Sequence, residues 1–216
     1  MRMKLIAVMS VVCAALAVAL TAGPAAAASN STTLCKVSAN PCPTADQYPA
    51  NTQFRTAVFP GTAWFDTSLD GFECSNSTIG AENAAQSGAP LPLDITGLTF
   101  TNCTDSFGMS CTIASDGLPF EGSMNADGLG DGDGVFTMNS FDVDFNCGNG
   151  IYDCVLAAPP GGINGTVTGG NPATLEINSV EIDNTGGFLC PSTMTLTAAY
   201  ETIGKNKALW VETPSS

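Results

Sequence analysis

Beyond residue 28 the chain alternates. In "FDVDFNC", Phe141, Val143, Phe145 and Cys147 fall to one side and Asp142, Asp144 and Asn146 to the other. "TMTLTAAY" sets Met194, Leu196, Ala198 and Tyr200 against Thr195 and Thr197, and "PFEGSMNA" puts Phe120, Met124 and Ala126 on one face. A period of two marks half-buried strands with one wet face, and the 3.6 period of a helix is hard to find. In "LEINSVEID" the apolar parity moves from Leu175 and Ile177 to Val180 and Ile182, which predicts a β-bulge at Asn178–Ser179. A similar slip separates Phe136 and Met138 from Phe141. Punctuation falls regularly between the runs, as "FPGT", "LDG", "SGAPLP", "SDGLP", "APPGG", "GGNP" and "NTGG". About ten short strands divided in this way predict an all-β fold, either an antiparallel β-sandwich (jelly-roll or Ig-like) or a barrel. The stretch "GAENAAQ", residues 80–86, comes nearest to helix and reads as a loop.

The first 28 residues do not share this pattern. "MRMK" is charged, "LIAVMSVVCAALAVAL" is apolar and "TAGPAAAAS" ends in small residues, the order of a secretory signal peptide cleaved after Ala28. The apolar run is about 16 residues, short of the ~20 that span a bilayer. Cys13 lies within it and lacks the small residue before it that a lipoprotein signal shows. The expected organisation is therefore a signal peptide (1–28), a disulfide-tied N-terminal extension (29–50), a single all-β domain (51–212) and a loose tail (213–216). The expected destination is secretion or the cell surface.

Charge narrows the partners. Loss of Arg2 and Lys4 with the signal leaves 4 Lys/Arg against 20 Asp/Glu, a net charge of −16. Between Arg55 and Lys205 there is no Lys or Arg at all, so these carboxylates must be solvated or bound to something cationic. Such a surface is a poor match for nucleic acid or anionic membrane, because phosphate binding needs Lys and Arg.

Eight cysteines remain after Cys13, an even set that reads as disulfides in an exported chain. Cys35–Cys42 and Cys147–Cys154 each enclose six residues and Cys103–Cys111 encloses seven, spacings that suit hairpins, which leaves Cys74 to pair with Cys190. There is no histidine and no C-x-x-C, so a zinc site is not expected.

The absence of histidine also removes Ser-His-Asp and Cys-His catalysis. "FDTSLDG" carries one Asp-Thr-Ser element at Asp66, whereas an aspartic protease needs two aspartates sharing a proton. A glycosidase needs two facing carboxylates ~5–10 Å apart, and nothing selects such a pair; Trp64 and Trp210 are the only tryptophans that could serve as sugar platforms. The nearest thing to a chemical site is "DGLGDGDG", Asp127 to Gly134. As an EF-hand it would use Asp131, Asp133 and Asp142, but Phe136 stands where glycine is required and Val135 where an oxygen ligand is required. Asp-Gly dipeptides between alternating runs predict instead a mobile, exposed hairpin loop, with weak collection of Ca²⁺ as the lesser alternative.

Cys74 in a short strand, "ITGLTFTNCT", "GLPF", a cysteine-bearing strand, and "TVTGGNPATLEINSVEI" followed by "GGFLCPS" together resemble a group of small exported bacterial β-proteins. That group includes the protein activators of alkane oxidation. The likeness runs from about Asn51 to Val211; the Cys35–Cys42 unit and the length of the aspartate loop depart from it. The resemblance implies an exported, non-enzymatic accessory protein, and it supplies no catalytic residue, cofactor or metal. Two readings follow. The first is an exported accessory or cell-envelope module that binds an envelope component, a polymer or a hydrophobic substrate. The second is an extracellular carboxylate-dependent hydrolase, which would require an acid pair converging in one pocket.

Overall fold

A computed structural model describes residues 31–67, 70–148 and 150–215, and the expected signal peptide lies outside them. The strands are β1 (Thr32–Cys35), β2 (Gln53–Val58), β3 (Ala63–Asp66), β4 (Gly71–Asn83), β5 (Ser87–Gly88), β6 (Leu91–Asp105), β7 (Ser110–Ser115) and β8 (Phe120–Ala126). They continue with β9 (Gly134–Met138), β10 (Asp142–Cys147), β11 (Tyr152–Ala157), β12 (Ile163–Thr168), β13 (Thr174–Phe188), β14 (Thr193–Ile203) and β15 (Trp210–Glu212). Residues 80–83, read as loop from the sequence, extend β4.

Several of these strands are halves of one longer stave. β2 and β3 both lie between β4 and β14, β7 and β8 both pair with β6, and β11 and β12 both pair with β13. β9 and β10 make a further stave, between those halves. Joined so, 53–66, β4, β6, 110–126, 134–147, 152–168, β13 and β14 form eight antiparallel staves, each paired with the next in sequence. β14 returns to the first, with Thr202 opposite Thr56 and Leu196 opposite Phe65. The result is a closed up-and-down barrel, the second of the two architectures expected.

Three of the four kinks that halve the staves fall where the backbone cannot continue a ladder; the one between β9 and β10, at Asn139–Phe141, has no proline. Pro60, Pro119, Pro159 and Pro160 have no N–H to donate. "FPGT", "SDGLP" and "APPGG", read from the sequence as turns between strands, are thus bends within staves. The bulge expected at Asn178–Ser179 is present: the β13–β14 register shifts between Ile177 and Val180, and Ser179 has φ 52°.

Inward positions are apolar and outward positions polar. Phe141, Val143, Phe145, Met194, Leu196, Ala198 and Tyr200 are buried as expected, while Asp142, Asp144, Glu121, Asn125, Asn164, Thr166 and Glu176 are exposed. A lipid-embedded barrel shows the reverse, an apolar outer band. Among the described residues no helix is long and apolar enough to cross a membrane. The end of the barrel holding β3, β7, β10 and β11 is filled by aromatic rings: Phe72 meets Phe145 at 4.7 Å and Phe65 meets Phe100 at 5.2 Å, both edge to face. At mid-height the hydroxyls of Ser77 and Tyr200 bond at 2.9 Å, and burial pushes the Tyr200 phenol up to about 12.

Four disulfides are formed, but the expected partners hold only for Cys35–Cys42. Cys74 joins Cys103, Cys111 joins Cys147 and Cys154 joins Cys190. The barrel supplies the reason. Cys74 stands opposite Cys103, Cys103 opposite Cys111 and Cys111 opposite Cys147, so four cysteines run side by side across adjacent staves. Hairpin spacing singles out Cys103–Cys111, which would leave Cys74 to reach Cys190 at the end of a stave that is not its neighbour. It would also leave Cys147 to reach Cys154, two residues out of register on the next strand, where Phe145 stands opposite Cys154. Shifting the pairing by one stave satisfies all four.

Peptide mapping under non-reducing conditions should recover 74–103, 111–147, 154–190 and 35–42. Replacing Cys74 or Cys103 with Ala should destabilise more than replacing Cys35 or Cys42, because separations of 29 and 7 residues correspond to about 3.6 and about 2.4 kcal/mol of loop-closure entropy. Thermal melts of the two pairs of variants check the order, and a larger loss at Cys35 would contradict it.

Candidate functional site

The N- and C-terminal segments meet over one end of the barrel. β1 pairs with β15 on one side and β5 on the other, forming a three-stranded cap. Thr32 Oγ1 accepts the Ala126 N–H at 2.9 Å, Thr33 Oγ1 donates to the Gln86 carbonyl at 2.7 Å, and Tyr48 donates to the Ala208 carbonyl at 2.6 Å. Gly170 and Leu209 exchange two backbone bonds, at 2.8 and 2.9 Å. Residues 213–215, expected as a loose tail, are held by Cys42, whose N–H donates to the Thr213 carbonyl and whose carbonyl accepts the Ser215 N–H.

Beneath the cap the interior is not filled. An apolar cavity of about 50 Å³ is walled by Phe54, Leu93, Met124 and Val167 from the barrel and roofed by Leu34 and Leu209. Short side chains, Ala81 and Thr56 among them, line it beside the rings of Phe54 and Phe136. Two of its threonine hydroxyls are engaged elsewhere: Thr56 Oγ1 donates to the Ile79 carbonyl at 3.5 Å, and Thr202 Oγ1 accepts the Ala173 N–H at 2.8 Å and donates toward the Lys207 carbonyl at 2.5 Å. The space suits an apolar occupant, and eight-stranded barrels have room for one small ligand where side chains do not fill them.

The aspartate loop belongs to this cap. It joins β8 to β9, with Ala126 opposite Gly134, so it is the hairpin connection expected. It is only partly the free loop expected. Asp127, Leu129 and Asp131 are exposed, whereas Gly132 and Gly134 are buried under β15. Val211 N–H donates to the Gly132 carbonyl at 2.8 Å. Gly132 sits at φ +90°, and a Cβ there would lie 2.3 Å from Cδ1 of Trp210. The glycine is needed for the approach of the tryptophan as much as for the turn.

Glu212, the last residue of β15, is 1% exposed, and neither carboxylate oxygen has a hydrogen-bond partner. Burial, joined by the negative charges of Asp131, Asp127 and Asp133, pushes its carboxyl above the usual range. The three aspartates each commit Oδ1 to the backbone: Asp127 accepts from Leu129 at 2.8 Å, Asp131 from Asp133 at 3.2 Å and Asp133 from Gly169 at 2.8 Å. Among the described residues no three acidic or cysteine side chains stand close enough to share a metal ion as they are placed. The sequence did not single out Glu212, because what makes it unusual is a pairing with Thr33 from the far end of the chain.

The other candidates are dispersed. Asp66 ends β3 on the outer face, Trp64 is exposed on the same strand, and Trp210 is half-buried against the loop. Asp142, the would-be twelfth EF-hand ligand, begins β10 at the kink, where it and Asp116 line an open groove of about 380 Å³. At the uncapped end three hairpin loops expose Phe107, Ile151 and Leu189. Comparison with family models, with curated proteins and with solved structures finds no match for this chain.

Substituting Gly132 with Val should drive Trp210 out of its seat and loosen the cap, at about 1–3 kcal/mol for an overpacked site. A red shift of tryptophan emission with a lowered melting temperature would show it. Unchanged emission would mean that Trp210 is not held by this contact.

Proposed function

We propose that the protein is an exported, non-catalytic binding module that holds a small apolar molecule inside the capped end of its barrel. The apolar cavity between the barrel wall and the cap carries this reading. It is walled by side chains that offer a ligand no charge, and its roof is a separate element. The arrangement of the acids agrees with it: apart from Asp105, which is buried at the far end of β6 and binds the backbone of its own hairpin, those on the barrel are not buried. The four disulfides suit an oxidising compartment, in keeping with the export read from the N-terminal sequence. The resemblance to exported accessory proteins points the same way, without naming the ligand.

A second reading, carboxylate-dependent hydrolysis, draws on one observation, the groove that Asp116 and Asp142 share. It lacks any further group to position a substrate.

Xenon, an apolar probe of a size that a cavity of about 50 Å³ can hold, should bind the native protein with one site per chain, read by xenon NMR. Ala81→Leu, which fills the cavity from its wall, should weaken that binding about tenfold or more, since the added methylenes occupy the ligand's space. Binding that Ala81→Leu leaves unchanged would rule the cavity out as the site. Turnover of a polysaccharide or ester that is lost in Asp116→Asn or Asp142→Asn would establish the hydrolase instead.

A further inference from the structure

We propose that Asp127, Asp131, Asp133 and Glu212 form a calcium site on the seam between the cap and the barrel. The inference stands on Glu212. A carboxylate taken out of water ordinarily acquires a cation or several donors, because burying an unpaired charge costs several kcal/mol. Glu212 is 1% exposed and has neither, and the groups acting on its carboxylate are three further carboxylates. Three acids of the barrel loop thus lie near the buried acid of the cap, and no cationic side chain is among the groups that act on it. The backbone fixes the two sides against each other through the Val211 to Gly132 bond.

The donor set selects the ion. All four ligands are carboxylate oxygens, the chain has no histidine, and its eight cysteines from Cys35 onward are paired, so soft and borderline metals have no ligands here. Mg²⁺ demands near-octahedral geometry, whereas Ca²⁺ accepts irregular oxygen shells from flexible loops. The Oδ1 atoms of the aspartates hold the loop in shape, and the Oδ2 atoms are the ones to turn toward the ion. The carboxylates do not yet converge, so binding draws the loop onto β15 and clamps the C-terminal strand to the barrel. The clamp acts whether or not the cavity beneath takes a ligand.

The test uses the full secreted chain with its disulfides intact, stripped with EDTA and titrated with Ca²⁺ alone. Calorimetry should find one Ca²⁺ per chain, with affinity in the range of about 10⁻⁴–10⁻³ M known for extracellular modules, and the melting temperature should rise by several degrees. In a Trp64→Phe background, which leaves Trp210 as the single tryptophan, Tb³⁺ should give sensitised luminescence that Ca²⁺ displaces. Glu212→Gln should abolish the calcium response while melting in EDTA no lower than the native chain. Asp131→Asn, at an exposed position, should weaken binding about tenfold without affecting the fold. No heat and no shift at ~5 mM Ca²⁺, or a calcium response that persists in Glu212→Gln, would overturn the proposal. In the first case Glu212 is simply a buried neutral acid.

Discussion

The ladder that joins β14 to β2 and β3 is the contact on which the rest of the molecule depends. Without it the eight staves are an open meander with two bare edges, one on β14 and one on the first stave, each a template for aggregation. With it there is no edge and a defined inside. The phenylalanines at one end can then pack edge to face, and the inward-facing cysteines meet across neighbouring staves. Closure also fixes the circumference, and eight staves leave an interior that side chains can just fill. The apolar void beneath the cap is what remains where Ala81 and the threonines replace larger residues.

Much of this was legible in the sequence. The alternation in "FDVDFNC" and "TMTLTAAY" identified inward and outward faces correctly, and the parity change at Asn178–Ser179 located a real bulge. The limits were physical. Proline and glycine break a ladder whether the chain then turns back or runs on, so "FPGT" and "APPGG" look like turns when they are bends in a continuous stave. Cysteine spacing likewise ranks hairpin partners, but in a meander every inward cysteine has a neighbour on both sides. The pairing is settled by where the series starts, at Cys74, and no local spacing carries that information. The cap is further out of reach, since β1 and β15 come from opposite ends of the chain.

The acids illustrate the same division. Those on the barrel staves, Asp105 at the end of β6 excepted, are not buried, and they keep the outer face wet. The aspartates of the β8–β9 loop differ because a strand from the C-terminus lies across their glycines and brings a buried carboxylate with it. The unusual property belongs to the tertiary contact, and the Asp-Gly repeat alone does not reveal it.

The row of cysteines has a kinetic consequence. The short hairpin between β6 and β7 sets Cys103 opposite Cys111, the pair in the row with the least chain between its members. A bond formed there is locally unstrained yet leaves Cys74 and Cys147 without partners. The native arrangement is reached only when a free thiolate attacks that early bond and moves the pairing along by one stave. A chain oxidised first at that hairpin therefore needs its disulfides reshuffled as well as made. An oxidant without an isomerase would trap the chain one position out of phase.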